Sequence, residues 1–234
     1  MNKILQNLLI STLAVAPAWG ASFTAASELG NTNPSGVWSY GYAVPTGIGM
    51  LSSAFTLMPT FTFGSNGGGG LANSWTGDNA VTGGAVVANT TTTFDPFVFG
   101  YLLMHPGNSG QLAIVAFTAP SAGSYSFSGE FASHGGPRGN GVDVSAVLGG
   151  GTFRLNTTVM PASSGPVLIN FTQALTLGQS VYFTLGANGE FSFDATGLKL
   201  VVTDGQSGSP IPEPSSVILL GLGAAVLWMK RRSL

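Results

Sequence analysis

The chain has 234 residues, which is enough for one sizeable domain together with targeting segments. It contains 35 glycines, 13 prolines and no cysteine, and only 7% of its residues are charged against 44% that are hydrophobic. Disulfides, thiolate metal sites and cysteine nucleophiles are therefore excluded. Between residues 21 and 209 three basic side chains stand against eight acidic ones. This part of the chain repels phosphates, and we expect no nucleic-acid partner.

Residues 1–20 predict a secretory signal peptide. Lys3 precedes a short apolar run from Ile4 to Ala16, and small residues follow at Ala18 and Gly20. Small residues are what the cleavage site requires, so we expect the Sec translocon and signal peptidase as partners and a cut after Ala18 or Gly20. The alternative is an N-terminal helix of the domain, which the short and weakly periodic run disfavours.

Residues 21–205 predict one domain of short strands. Apolar and polar residues alternate in four segments, as in strands with one buried face. The apolar faces are Tyr125, Phe127 and Phe131; Val142, Val144, Ala146 and Leu148; Phe153, Leu155 and Val159; and Leu198, Leu200 and Val202. We expect these faces to be buried and the intervening polar residues, such as Asp143 and Ser145, to face solvent.

Three other runs, residues 112–117, 167–171 and 181–185, are more continuously apolar and typical of central strands. Turn dipeptides such as Asn140-Gly141 and Asn188-Gly189 separate the runs at short spacing. No amphipathic helix of ten residues is apparent between residues 21 and 209. The predicted fold class is all-β, an antiparallel β-sandwich of jelly-roll type.

Residues with catalytic potential are sparse. The two histidines, His105 and His134, both lie in loop contexts, and no Gly-x-Ser-x-Gly motif is present. No pair of carboxylates stands out as an acid and a base, and we expect most acids to be solvated. We therefore predict no catalytic residue, no metal centre and no resident cofactor. A Ca²⁺ ion held by loop carbonyls and one or two acids is the alternative left open.

Three aromatic residues, Trp38, Tyr40 and Trp75, are candidates for contact with a sugar, because an aromatic face packs against the C–H surface of a pyranose. Trp38 and Tyr40 are two residues apart and share one face of a strand, which is equally typical of a core stripe. For Trp38 we favour the core. Trp75, between Asn-Ser and Thr-Gly-Asp, is predicted in a loop.

The C-terminal end contains three blocks in a fixed order. After a flexible linker, residues 206–211, the segment 212–234 begins with Pro212-Glu213-Pro214 and continues with an uncharged stretch and a basic cluster. The stretch predicts one transmembrane helix over about residues 215–229, roughly 22 Å long against a hydrocarbon core of ~30 Å. Its apolar anchor residues are Val217, Ile218, Leu219, Leu220, Leu222, Val226, Leu227 and Trp228. The basic stop, Lys230, Arg231 and Arg232, stays cytoplasmic and places the main domain outside.

At these residues the chain resembles the PEP-CTERM sorting tag of Gram-negative bacteria, in which Pro-Glu-Pro, an apolar helix and a basic cluster direct export. The resemblance implies an exosortase partner, a membrane cysteine transpeptidase that cleaves near the motif and would read Glu213. It also implies a transient single-pass anchor in the inner membrane, followed by release to the cell surface or extracellular matrix. A plain tail anchor is the alternative, but it would need no Pro-Glu-Pro.

The segment from about residue 33 to 204 also resembles an ectodomain common among PEP-CTERM proteins. The resemblance rests on Asn33-Pro34-x-Gly36-x-Trp38, on His105-Pro106-Gly107 and on Phe117-Thr118-Ala119-Pro120. That family is similar in architecture to carbohydrate-binding jelly rolls and brings no catalytic residue. We expect a non-catalytic surface or extracellular-matrix protein, sorted by an exosortase and associated with exopolysaccharide or biofilm. The alternative is a secreted glycoside hydrolase or esterase that acts on surface polysaccharide.

Overall fold

The computed structural model describes residues 20–44, 55–62, 72–77, 86–90, 100–134, 139–149, 151–162 and 164–205. The chain divides into a compact unit, Ala21–Gly205, and a second unit made of the terminal segments Met1–Gly20 and Gln206–Leu234. The predicted signal peptide, apart from Gly20, and the predicted linker, transmembrane helix and basic tail lie outside the described residues. The part of the chain that is described holds no helix capable of crossing a bilayer.

The described residues form fourteen strands, and none of them is helical. In chain order the strands are β1 (Ser22–Thr24), β2 (Trp38–Ala43), β3 (Thr56–Leu57), β4 (Thr60–Thr62), β5 (Ala72–Thr76), β6 (Val86–Thr90), β7 (Leu102–His105), β8 (Leu112–Thr118), β9 (Gly123–Ser133), β10 (Val142–Leu148), β11 (Thr152–Met160), β12 (Val167–Leu175), β13 (Ser180–Gly186) and β14 (Thr196–Asp204).

The strands make two sheets in which every pairing is antiparallel, as the sequence predicts. The larger sheet runs β12-β9-β14-β7-β6-β5-β4, and the smaller runs β11-β10-β13-β8-β2-β3. The edge of β14 that faces β7 is shared, because β7 pairs with Thr196–Leu198 and β1 pairs with Val201–Thr203. The first and last strands of the domain are therefore neighbours.

The two sheets bury one core between them. Phe117 of β8 lies at its centre, with its ring 5.4 Å from Trp38 in the same sheet and 5.4 and 5.6 Å from Tyr125 and Phe127 in the facing sheet. Edge-to-face contacts of this kind add to the stabilisation that burial of the rings gives. An aromatic cluster thus joins the sheets into a sandwich.

The predicted alternation is confirmed in β9 and β14. Tyr125, Phe127 and Phe131 are fully buried, whereas the serines at 124 and 128 are exposed. In β14 the leucines at 198 and 200 face the core and Lys199 is exposed. Two of the apolar runs are confirmed as central strands, because β8 lies between β13 and β2, and β13 lies between β10 and β8.

The third run is not a central strand. Residues 167–171 begin β12, which pairs only with β9 and forms the edge of the larger sheet. Leu168 is 67% exposed, while Ile169 is buried. The strand therefore buries one face only, although its sequence is apolar on both.

The prediction that Asp143 and Ser145 of β10 face solvent is also wrong. Asp143 is 4% exposed and Ser145 is fully buried. The Asp143 carboxylate is covered because its Oδ1 accepts a hydrogen bond of 3.0 Å from the backbone N–H of Asn188, in the connection after β13. Ser145 shares a 2.6 Å hydrogen bond with Thr184 on the neighbouring strand.

In β11 the predicted inner face is broken by two register shifts. The pairing of β10 with β11 shifts between Val144 and Ala146, and again between Ala146 and Val147. Each extra residue moves the following side chains to the opposite face of the sheet. Leu155 therefore packs against the core, whereas Val159 is 46% exposed.

Candidate functional site

The segment between β1 and β2 is fixed to the core by Glu28. One carboxylate oxygen of Glu28 accepts a 2.6 Å hydrogen bond from the backbone N–H of Thr24, and the other accepts a 3.1 Å bond from the indole N–H of Trp38. Trp38 is fully buried. Its ring serves the core and is not accessible to a sugar in this structure.

Tyr40 is also fully buried and is held by an amide side chain. The Tyr40 backbone N–H donates to Oδ1 of Asn33 at 3.0 Å, and Nδ2 of Asn33 donates to the Tyr40 carbonyl oxygen at 2.6 Å and to the Met58 carbonyl oxygen at 3.1 Å. Asn33 thus pairs with β2 much as a strand residue would. Burial, reinforced by the Glu28 charge, raises the pKa of Tyr40, so the phenol stays neutral.

Trp75 lies in β5 and not in a loop, and 6% of its surface is exposed. Its indole N–H donates a 3.0 Å hydrogen bond to the Gly30 carbonyl oxygen. Across the strand pair its partner is Phe61 of β4, whose ring centroid is 5.0 Å away. Trp75 therefore packs beside Phe61 on the same face of the two strands, and the half-buried Phe61 has the more accessible ring.

An open groove of about 570 Å³ lies beside this aromatic pair. The described residues that line it are Leu29, Asn31, Phe61 and Asn73. Asn31 is exposed, and Leu29, Phe61 and Asn73 are half-buried. An aromatic ring, an aliphatic side chain and two neutral amides suit an uncharged, hydroxyl-rich ligand, because the amides can both donate and accept hydrogen bonds.

Sequence reasoning missed all four of these side chains as well as their grouping. Leu29, Asn31, Phe61 and Asn73 come from separate segments that meet only through the pairing of β4 with β5 and the bond from Trp75 to Gly30. The alternation Thr60-Phe61-Thr62 is a strand pattern that could have pointed to Phe61. Nothing local marks Asn31 or Asn73.

A second group of polar residues lies at the start of β10 and in the connection between β13 and β14. Asp143 and Asp194 are 4% and 2% exposed, which corrects the expectation that they are solvated. Burial, followed by the charges of Glu190 and Asp143, raises the pKa of Asp194 to about 7. Within the described ranges no three acidic or histidine side chains come close enough together to hold a metal ion.

His105 at the end of β7 has a structural environment. Its Nδ1 lies 2.8 Å from the carbonyl oxygen of the next residue, Pro106, and its ring packs edge-on against Phe191 at 6.0 Å. Burial lowers the pKa of His105, so its imidazole is neutral at pH 7. The contacts of His105 are therefore those of a residue that packs against its neighbours.

The predicted sorting residues Pro212, Glu213 and Pro214, the anchor residues and the basic stop all lie outside the described residues. Their identification depends on the sequence. A search of curated protein sequences finds no relative of the chain.

Several solved structures resemble the described fold. A family 35 carbohydrate-binding module from Clostridium thermocellum is 16% identical over 50% of this chain and 86% of its own, with a TM-score of 0.33. The family 35 module of Cellvibrio japonicus Abf62 is 19% identical over 57% of this chain and 93% of its own, with a TM-score of 0.31. Similarities at these TM-scores do not bear on what the chain binds.

A GH26-CBM35 β-(1,4)-mannanase of Podospora anserina is also similar, at 14% identity and a TM-score of 0.33. The match covers 59% of this chain but only 28% of the mannanase chain. The activity of that larger protein is not carried over to this one.

The C-terminal segment matches a family model described as the PEP-CTERM protein-sorting motif, over residues 210–232. The match includes the Pro-Glu-Pro triplet, the uncharged stretch and the basic cluster, so the predicted resemblance is confirmed. The motif implies export and processing by an exosortase. The match at residues 210–232 supports the identification of the chain as a PEP-CTERM exosortase substrate.

Proposed function

We propose that the protein is a non-catalytic component of the cell surface or extracellular matrix that associates with exopolysaccharide. The observation that carries the proposal is the sorting motif at residues 210–232, which assigns the chain to the export route. The β-sandwich, of jelly-roll type in this proposal, is the cargo that the route delivers.

The route follows from the order of the terminal segments. The signal peptide, residues 1–20, starts translocation through Sec and is removed by signal peptidase. The apolar helix at about 215–229 then stops in the inner membrane with Lys230, Arg231 and Arg232 on the cytoplasmic side. Exosortase reads Pro212-Glu213-Pro214 and releases the domain, which reaches the surface or the matrix.

The groove beside Trp75 is the proposed site of contact with the polysaccharide. In this proposal Phe61 packs its ring against the C–H surface of a pyranose, and the amides of Asn31 and Asn73 hydrogen-bond its hydroxyls. The volume of about 570 Å³ falls in the range of small-ligand sites, ~300–1,000 Å³. Trp75 contributes by fixing Phe61, since its own indole N–H is used by Gly30.

Replacing Glu213 with Ala tests the sorting half of the proposal. The variant should be exported and remain in the membrane at full length, because the helix and the basic stop are intact while the residue that exosortase reads is absent. Ser209→Ala, four residues away in the linker, is the matched control and should be processed normally. Mass spectrometry of the C-terminus and fractionation of the cells give the result. Normal processing of Glu213→Ala would leave the segment as a plain tail anchor.

Replacing Phe61 with Ala tests the binding half. Retention of the protein on exopolysaccharide purified from the host should fall about tenfold, because the accessible ring of the groove is lost. Phe193→Ala removes a 51% exposed ring elsewhere on the domain and is the matched control. Release of reducing ends from the same polysaccharide would indicate a hydrolase and contradict the non-catalytic reading.

A further inference from the structure

The connection between β13 and β14, residues 187–195, contains a buried carboxylate, that of Asp194, for which the described residues provide no hydrogen-bond donor. Asp194 is 2% exposed, and neither of its carboxylate oxygens has a hydrogen-bond partner among the described residues. A carboxylate removed from water is strongly disfavoured unless it is protonated, hydrogen-bonded or bound to a cation. The chain therefore leaves Asp194 in need of a ligand.

Two other acids increase this need. Asp143 at the start of β10 and Glu190 in the same connection both act on Asp194 through their negative charges. Asp143 is itself buried, and its carboxylate lies against Gly186, where an added Cβ would come 2.5 Å from Oδ2. The three acids create a region of negative potential at one end of the sandwich. A cation is the species that such a region attracts.

The backbone around Asp194 supplies neutral oxygen next to the carboxylate. A Cβ placed on Gly139 would come 2.9 Å from the Ser192 carbonyl oxygen and 3.7 Å from Oδ1 of Asp194. The carbonyl and the carboxylate thus border the same small space, which stays open because residue 139 is glycine. Gly139 has a φ of 87°, which a residue with a side chain rarely adopts.

The connection is also held in a fixed shape. Asn140 and Asn188 exchange two hydrogen bonds, from Nδ2 of Asn140 to the Asn188 carbonyl oxygen at 2.5 Å and from Nδ2 of Asn188 to the Asn140 carbonyl oxygen at 3.2 Å. The backbone N–H of Asn188 is bonded to Asp143. A pre-organised loop loses little entropy when it binds an ion.

We propose that Asp194, with Asp143 and the Ser192 carbonyl, forms a Ca²⁺ site in this connection. All the donors are oxygens, which hard cations prefer, and Ca²⁺ accepts six to eight oxygens in flexible geometry and can complete its shell with water. Mg²⁺ requires a near-ideal octahedron and is the poorer fit. With only two carboxylates among its donors, the site is expected to have an affinity of ~10⁻⁴–10⁻³ M. The site is separate from the groove and does not depend on the proposed function.

The test compares the full chain, purified in detergent, with Asp194→Asn and with the control Asp204→Asn. At pH 7.5 calorimetry with CaCl₂ should show one Ca²⁺ bound by the wild type and by the control, and binding at least about tenfold weaker in Asp194→Asn. Millimolar CaCl₂ should raise the melting temperature of the wild type relative to EGTA, and MgCl₂ should raise it less. In EGTA, Asp194→Asn should melt no lower than the wild type, because a neutral amide replaces a buried charge. A variant that melts at least as high as the wild type and yet has lost the Ca²⁺ response cannot be explained by misfolding.

The competing occupant of Asp194 is a proton. Burial raises the pKa of Asp194 from its usual value near 4 to about 7. Between these two pH values the folded chain keeps the proton, whereas the unfolded chain releases it. Without Ca²⁺, stability is therefore expected to fall as the pH rises through 7. Equal melting temperatures in CaCl₂ and EGTA, with only this dependence on pH, would overturn the proposal and leave a protonated acid. Unchanged Ca²⁺ binding by Asp194→Asn would overturn it as well.

Discussion

At the scale of single residues, Gly129 is where the larger sheet leaves no room for a side chain. A Cβ on Gly129 would overlap the carbonyl oxygen of Lys199 and approach the Cα of Leu200 to 3.0 Å. Both are backbone atoms of β14 and cannot rotate away. We predict that Gly129→Ala lowers the free energy of unfolding of residues 21–205 by about 1–3 kcal/mol or more, measured by urea denaturation. Gly165→Ala meets nothing within 4 Å and should stay within about 0.5 kcal/mol; equal losses would contradict the close approach.

Glu28 gives a second prediction at this scale. Replacing Glu28 with Ala leaves the buried indole N–H of Trp38 without its acceptor, which costs about 1–3 kcal/mol. Glu28→Gln keeps one carbonyl oxygen as an acceptor and should lose less. Thermal melting followed by circular dichroism measures both changes. If the two variants melt alike at the wild-type temperature, the Glu28 bonds do not stabilise the segment between β1 and β2.

The burial of apolar residues was predictable, because the hydrophobic effect determines it. The burial of acidic residues was not. Trp38 was favoured for the core from its position on an alternating strand, and it is buried. Asp143 and Asp194 were expected to be solvated because isolated carboxylates rarely leave water. Their burial depends on a connection folding over β10, and that contact joins residues 45 positions apart. Local sequence carries no trace of such a contact.

At the scale of elements, β11 allows a direct test of its register. The two shifts in pairing place Val159 on the outer face, 46% exposed, and Met160 on the inner face, 1% exposed. We predict that Val159→Lys changes stability by less than about 0.5 kcal/mol, whereas Met160→Lys unfolds the domain because it buries an unpaired charge. The two variants are adjacent and chemically alike. A destabilised Val159→Lys would restore the strict alternation that the sequence predicts.

Strand type and strand position differ in how far sequence determines them. The alternation in β9 and β14 reflects one buried face and is visible in the residues themselves. Whether an apolar run is central or at an edge depends on its partners, and β12 has only β9. A shift of one residue in pairing, as in β11, leaves composition and spacing unchanged. The existence of β8 to β14 was therefore predictable, whereas β5 was predicted as a loop, and edges and bulges were not predicted.

At the scale of the whole molecule, β1 closes the domain against its last strand. Ser22, Phe23 and Thr24 pair with Thr203, Val202 and Val201, and Phe23 packs against Phe117 with ring centroids 5.6 Å apart. We predict that a chain lacking residues 21–24 melts several degrees lower than residues 21–205, because a strand edge opens and an aromatic contact is lost. Phe23→Ala is the control that removes the contact alone and should have an intermediate effect. No change in melting on deletion would mean that β1 is dispensable.

The functional features of the chain also differ in how far they could be predicted from the sequence. The sorting motif at residues 210–232 was predictable, because its three blocks are contiguous and occur in a fixed order. The groove was not, because Asn31, Phe61 and Asn73 are distant in sequence and meet through sheet topology. A contiguous sorting motif can be recognised in the sequence, whereas a groove formed by distant residues can be recognised only in the folded structure.

The pairing of β14 also determines how the domain responds to mechanical force. A force that pulls on Asp204 along the direction of its strand acts on β14, the last strand of the domain. That strand pairs with β9 over nine residues and with β7 and β1 on its other side. The load is in shear, and all these ladder hydrogen bonds must slip together before the strand can be extracted. A force along β14 is thus resisted by the hydrogen bonds on both edges of the strand at once, and not by one bond at a time.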